Sequence, residues 1–202
     1  MYSADWIAQN RRAVSAWAQG LFAEGFLVLD TETTGVRGGY DEIVQIGVMN
    51  SAGDVLLNTL VKPQHPERLT EWTPGGKRAV DIHGILPHML VDAPSFPDVY
   101  DQLCATVKGQ QLVIYNAGFD RRMIDGDCKR HQLRKPSVKK YHCAMLQYAQ
   151  WHGAVNRMTG GFRWQSLETA CNQLHIFSQE QAHSAVGDCR RTLEVMKRLA
   201  AI

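Results

Sequence analysis

Two short apolar runs in this chain each lead to an aspartate. Phe26-Leu27-Val28-Leu29 runs directly into Asp30, and Gln111–Tyr115 leads through Asn116, Ala117 and Gly118 to Asp120. Runs this short, without alternation, suit strands buried on both faces. A strand buried on both faces needs helices above and below it, so the chain is constrained to an α/β sheet flanked by helices. Strand ends in such sheets are common ligand sites, which makes the carboxylates there worth following.

Around these runs the periodicity supplies the other elements. Residues 4–22 read as a helix, because Trp6, Ile7, Val14, Trp17, Leu21 and Phe22 recur at roughly helical spacing before Gly25 ends the pattern. Residues 31–40, rich in Thr and Gly, are expected as a loop. Ile43–Met49 and Val55–Val61 read as a hairpin of strands across the turn residues Asn50–Asp54. Residues 63–76 hold three prolines and a Gly-Gly pair and are expected as loop, with room for one helical turn. Helices are then expected over 98–107, 119–131, 144–151, 164–174 and 185–200, with a short strand at 140–143. The last helix places Val186, Cys189, Leu193, Met196 and Ala200 on one face. The order predicts one mixed sheet covered by helices.

Composition narrows the class. At 202 residues the chain makes one domain, and 45% apolar with 21% charged residues describes a globular protein. No apolar run approaches the ~20 residues of a membrane span. The amphipathic N-terminus lacks the compact apolar stretch and cleavage site of a signal peptide, so a cytoplasmic location without membrane attachment is expected. Five cysteines at irregular gaps, with no CxxC pair, read as reduced thiols. A net charge of +2 says little about partners. Locally, Lys129, Arg130, Arg134, Lys135, Lys139 and Lys140 fall in a stretch with no acid. That stretch fits either a solvated helix end and loop or a phosphate-tracking patch.

The chemistry gathers in three segments: DTETTG with Asp30 and Glu32, NAGFD with Asp120, and HSAVGD with His183 and Asp188. Period-two spacing points Asp30 and Glu32 to one side of the chain. Asp120 falls at an expected helix start, where an acid complements the helix dipole. His183 and Asp188 are five residues apart, so they meet only if His183 lies in the loop entering the last helix. Each segment alone is ordinary. Together, two strand exits and one helix start deliver four carboxylates to one sheet edge. Unpaired, these repel one another and raise their pKa values. Divalent cations remove that repulsion. Oxygen-only ligands favour Mg²⁺ or Mn²⁺ over zinc.

In order and spacing the three segments resemble the motifs of the DEDDh family of 3′–5′ exonucleases, the DnaQ-like group that includes the exonuclease domain of DNA polymerase III epsilon. HSAVGD matches the HxAxxD form of the histidine subclass, and Ile82-His83-Gly84-Ile85 resembles a further family element. The resemblance covers residues 26–199. Tyr115 stands where relatives often carry histidine, and Pro87 where many carry threonine and a helix start.

The resemblance implies a ribonuclease H-like fold: a mixed five-stranded sheet whose first three strands are antiparallel. The exonuclease domain is then residues 25–202, and residues 1–24 form an N-terminal helical extension. It also implies two Mg²⁺ or Mn²⁺ ions about 4 Å apart. Asp30 would bridge them, Glu32 and Asp188 would complete one site, and Asp120 would serve the other. His183 is the implied general base, since a histidine with a reference pKa near 6.5 is mostly neutral at mildly alkaline pH. Thr33, Thr34 and Gly35 would meet the terminal sugar through their backbone, and His83, Asn116 and Phe119 would line the terminal-nucleotide pocket. Phe119 fits base stacking and plain core packing about equally.

The implied substrate is the 3′ end of a single-stranded nucleic acid, DNA favoured over RNA, and the implied product a nucleoside 5′-monophosphate. Two other readings stay open: an exoribonuclease trimming RNA, and a proofreading module acting through a polymerase or other partner. Trp6 and Trp17 on the first helix fit either partner docking or core packing. A phosphatase with Asp30 as nucleophile is disfavoured, because the usual arrangement needs aspartate where Glu32 stands.

Overall fold

In the computed structural model, which describes residues 4–156, 158, 160–177 and 183–201, five strands form one mixed sheet in the order β3-β2-β1-β4-β5. β1 (Leu27–Thr33), β2 (Ile43–Asn50) and β3 (Val55–Leu60) form an antiparallel meander. β4 (Gln111–Ile114) and β5 (Lys140–Cys143) extend the sheet in parallel with β1. Parallel neighbours need long crossovers, and α4 (Ala117–Arg130) provides the one from β4 to β5. The other helices are α1 (Ala4–Glu24), α2 (Ala79–His83), α3 (Phe96–Val107), α5 (Ala144–His152), α6 (Leu167–Gln173) and α7 (Ala185–Ala200). Two 3₁₀ turns, Pro66–Thr70 and Pro87–Leu90, flank α2.

The alternation of β1 explains the layering. Leu27 and Leu29 enter a core shared with Phe96 and Leu103 of α3 and Met123 and Ile124 of α4. Val28 enters the opposite core with Val14 and Leu21 of α1, Tyr148 of α5, and Leu193 and Met196 of α7. Continued by the same period, Asp30 and Glu32 follow Val28 to the α7 side, and Thr31 follows Leu29 to the α4 side.

β1 runs three residues past Asp30, through Thr31, Glu32 and Thr33. The expected loop therefore begins at Thr34. Threonine is β-branched and suits a strand, and Thr31 and Glu32 pair with Ile46 and Gln45 across the ladder. The register shifts between Glu32 and Thr33. α6 starts at Leu167 rather than Trp164, because the Ser166 side chain accepts the Thr169 amide and caps the helix there. α2 had no counterpart in the sequence reading.

α1 is built into the domain. Val14, Ala18 and Leu21 are buried. Trp17 Nε1–H donates to His142 Nδ1 at 3.3 Å, and the Arg11 guanidinium lies 4.9 Å from the Trp151 ring while its Nε donates to the Trp151 carbonyl. Trp6 stacks on Phe162 with ring centres 5.0 Å apart. Both tryptophans thus have internal partners. Among the described residues, no helix is long and apolar enough to cross a membrane.

Candidate active site

Three of the four carboxylates meet. One oxygen from each of Asp30, Glu32 and Asp188 lies within 4.8 Å of the others. Strand period brings the first two together, and the seat of α7 on the sheet brings the third. That seat depends on Gly47, the cross-strand partner of Asp30. A Cβ on Gly47 would lie 2.8 Å from the Ala185 carbonyl carbon and 2.9 Å from the Val186 amide nitrogen. Glycine inside a strand often marks such a close approach of another backbone. Gln45 completes the joint by accepting the Ala185 amide at 3.1 Å, satisfying an otherwise orphan donor of the first helical turn. Gly47→Val is expected to lift the start of α7 off the sheet and destabilise the fold by about 1–3 kcal/mol. Activity should fall more than the folded fraction does, which thermal unfolding and rate measurements on one preparation would separate.

His183 lies in the turn before α7, in a left-handed conformation with φ +63°. Its backbone amide donates to Asp188 Oδ1 at 3.3 Å, so residues five apart in sequence are tied together. Ser184 caps α7 by accepting the Gly187 amide.

Asp120 comes from the other side of the sheet. It is buried in the first turn of α4, and its Oδ1 accepts both the amide and the hydroxyl of Thr31, at 3.0 and 2.8 Å. The same alternation that sends Asp30 and Glu32 toward α7 turns Thr31 toward Asp120. Asp120 nevertheless feels the cluster electrostatically. Burial, then the charges of Asp120, Glu32 and Asp188, push Asp30 well above the carboxylate range. Burial, then Asp188 and Asp120, push Glu32 up to about 8. Burial pushes Asp120 up to about 7 against the lowering effect of the Thr31 bonds. Arg191 opposes this repulsion: it is buried, pairs with Asp188 one turn earlier, and lowers both Asp30 and Glu32. Converging carboxylate oxygens that resist ionising together fit a hard divalent cation, whose charge offsets their repulsion.

A cleft of about 150 Å³ opens beside the carboxylates, walled by Thr33, Gly35, Val36, Ile82, His83 and Phe119 among others. The loop forming one wall is fixed from beneath. The Asp41 carboxylate accepts the Arg37 amide at 2.7 Å and fills the space where a Gly35 side chain would stand, 2.6 Å from an ideal Cβ. Glu42, also buried, accepts the amides of Gln64 and His65. Thr34 is 1% exposed and bonds Asp41 through its hydroxyl, so it supports this loop from inside rather than lining the cleft.

His83 has both ring nitrogens engaged: Nδ1 accepts the Ile85 amide and Nε2 meets the Thr33 carbonyl at 3.1 Å. A carbonyl only accepts, so Nε2 carries the proton. Burial lowers the ring's pKa and keeps it neutral. His83 therefore braces the strand end while lining the cleft. Phe119 lines the cleft and also packs against the α3–α4 core. Asn116 is exposed at the N-cap of α4, outside the cleft lining. Sequence reasoning passed over Gly47, Gln45, Asp41 and Arg191. A glycine inside an otherwise regular strand pattern was the available signal for the first, and a basic residue one turn beyond Asp188 for the last.

A five-stranded mixed sheet of this order, flanked by helices, is a ribonuclease H-like fold. The chain belongs to the RNase_T exonuclease family, whose model matches residues 27–196. It is 34% identical over 192 residues to the uncharacterized exonuclease CP81 of Escherichia phage 186, covering 93% of this chain and 94% of that one. It is 30% identical over 176 residues to the DNA polymerase III subunit epsilon of Escherichia coli K12, covering 84% and 68% respectively. The nuclease domain of 3′hExo, a DEDDh family member solved bound to rAMP, superposes with a TM-score of 0.62 at 16% identity, over 85% of this chain and 88% of that one. The protein is thus a DnaQ-like 3′–5′ exonuclease acting on nucleic acid.

Proposed function

We propose that the protein hydrolyses the terminal phosphodiester of single-stranded nucleic acid from the 3′ end, DNA in preference to RNA, and releases nucleoside 5′-monophosphates. The observation that carries this reading is the convergence of Asp30, Glu32 and Asp188 oxygens within 4.8 Å, with His183 tied to the same aspartate. Asp30, Glu32 and Asp188, with Asp120 alongside, would hold two Mg²⁺ or Mn²⁺ ions. Such ions supply electrostatic stabilisation of an in-line displacement at phosphorus.

The protein's own groups do the rest. The cleft walled by Thr33, Gly35, His83 and Phe119 receives the terminal nucleoside, and its apolar side suits a base of any identity. His183 takes a proton from water as the water oxygen attacks phosphorus. The bond from phosphorus to the upstream 3′ oxygen breaks, that oxygen regains a proton, and the terminal nucleotide leaves with its 5′-phosphate. The terminal nucleotide must leave any complementary strand to enter a cleft of only about 150 Å³, which favours single strands. The lean to DNA rests on the DTETTG segment and on likeness to a DNA polymerase subunit. We assign this activity to residues 25–202, with residues 1–24 as an N-terminal extension that contains α1, and the cytoplasm as its site of action.

The test is digestion of 5′-labelled single-stranded DNA and RNA of one sequence, with Mg²⁺, Mn²⁺ or EDTA, beside Asp30→Ala. A metal-dependent ladder shortening from the 3′ end, faster on DNA and lost in the variant, is expected. Faster digestion of RNA would overturn the DNA assignment. Digestion only after a polymerase is added would favour the partner-dependent reading.

A further inference from the structure

The basic stretch after residue 129 has a structural counterpart. A groove of about 550 Å³ runs between the loop after β1 and α4, lined by Gly38 on one side and, among others, by Arg122, Asp125, Gly126, Lys129 and, beyond the helix, Lys135 on the other. Its walls belong to the same loop and helix as those of the nucleotide cleft. Gly35 and Val36 line the cleft, and Gly38 of the same loop lines the groove. Phe119 lines the cleft, and Arg122, one helical turn later, lines the groove. Loop and helix touch closely at its floor, where a Cβ on Gly126 would lie 3.0 Å from the Gly39 amide nitrogen.

The groove's charge is available. Lys135 is paired with Asp125, but Arg122 and Lys129 are exposed and have no acidic partner among the described residues. They stand seven residues apart on one face of α4, about 10 Å along its axis. We propose that this groove is the track for the backbone of the same single strand, where Arg122 and Lys129 meet phosphates upstream of the terminal nucleotide. The inference rests on the exonuclease reading above and assigns the groove a nucleic-acid ligand rather than an acidic protein. Each cation that neutralises a phosphate releases counterions, so the contact has a characteristic salt dependence.

The experiment compares kcat/KM at rising NaCl, with Mg²⁺ present, for two substrates. One is a 5′-labelled single-stranded dodecamer. The other is the p-nitrophenyl ester of thymidine 5′-monophosphate, which is too short to reach the groove. For Arg122→Ala/Lys129→Ala the dodecamer value should fall roughly tenfold at low salt, and its log–log salt slope should become shallower by about 1.4, at about 0.7 per contact on a single strand. The ester value should not change. A control variant, Arg12→Ala/Lys108→Ala, removes two exposed cations elsewhere and should keep the wild-type slope.

An unchanged slope in the groove variant overturns the track, and so does an equal loss of slope in the control or a parallel fall on the ester. Wild-type protein that hydrolyses neither substrate overturns the exonuclease reading and the track with it. Hydrolysis of both by wild type, with no effect in the groove variant, overturns the track alone.

Discussion

Asp30→Asn is expected to slow hydrolysis by roughly a thousandfold or more while making the metal-free protein more heat-stable at pH 8. Both effects follow from one cause. Asp30 lies among Asp120, Glu32 and Asp188, and burial with their repulsion holds its carboxyl well above the usual range. The folded chain therefore keeps protons on Asp30, on Glu32 up to about pH 8 and on Asp120 up to about pH 7, which the unfolded chain sheds near pH 4. A carboxyl raised in this way contributes its stabilisation fully below the unfolded pKa and loses it as pH rises through the folded one. Each such proton is worth about 1.4 kcal/mol per pH unit, or about 3–5 °C in Tm for a chain of this size. Asparagine carries no proton to lose and removes one charge from its neighbours. In EDTA, the Tm of Asp30→Asn should thus exceed that of wild type by a margin that widens from pH 5 to pH 8, as differential scanning would record. A margin that narrows over that range would contradict the electrostatic account.

The second large effect is expected at His183. His183→Ala should lower kcat by about 10²- to 10⁴-fold, the usual range for a lost general base, with metal affinity close to that of wild type. The carboxylate oxygens do not depend on the imidazole: the link from residue 183 to Asp188 runs through the backbone amide, which alanine keeps. The conformation is the one local risk, because residue 183 has φ +63°, which alanine adopts at some cost. His183→Asn tolerates that conformation better and also lacks a base. Similar losses in both variants would assign the effect to the side chain; wild-type rate in His183→Asn would remove His183 from the chemistry.

Much of the site was legible in the sequence, because its parts obey local rules. Period two put Asp30 and Glu32 on one side of a strand, and the structure continues Val28, Asp30 and Glu32 along the face that meets α7. The break between His183 and Ala185 was required by the five-residue spacing, and Ser184 caps α7 at that point. Four strands followed from apolar runs and a hairpin pattern, and β5 falls on the short strand expected at 140–143. The exceptions have physical reasons. Thr31 and Thr33 resemble turn residues in a Thr/Gly-rich stretch, yet they extend β1, because they pair with Ile46 and Ile43, 15 and 10 residues ahead. α2 spans only five residues and is stopped by Gly84 in the left-handed conformation, too short for a periodic signal. Asp120 separates from the three-oxygen cluster through two hydrogen bonds to Thr31, a contact across 89 residues that no local pattern encodes. Gly47 and Arg191 matter through tertiary contacts in the same way.

The central claim is that these carboxylates are a cation site, and calorimetric titration of Mn²⁺ tests it without reference to any substrate. Run at about pH 6.5 in buffers of different ionisation enthalpy, it counts ions and protons together. Two ions per chain are expected, with protons released as Glu32 and Asp120 ionise around them, and Asp30→Asn should abolish the tight binding. No saturable binding, or binding that Asp30→Asn leaves intact, would contradict the account.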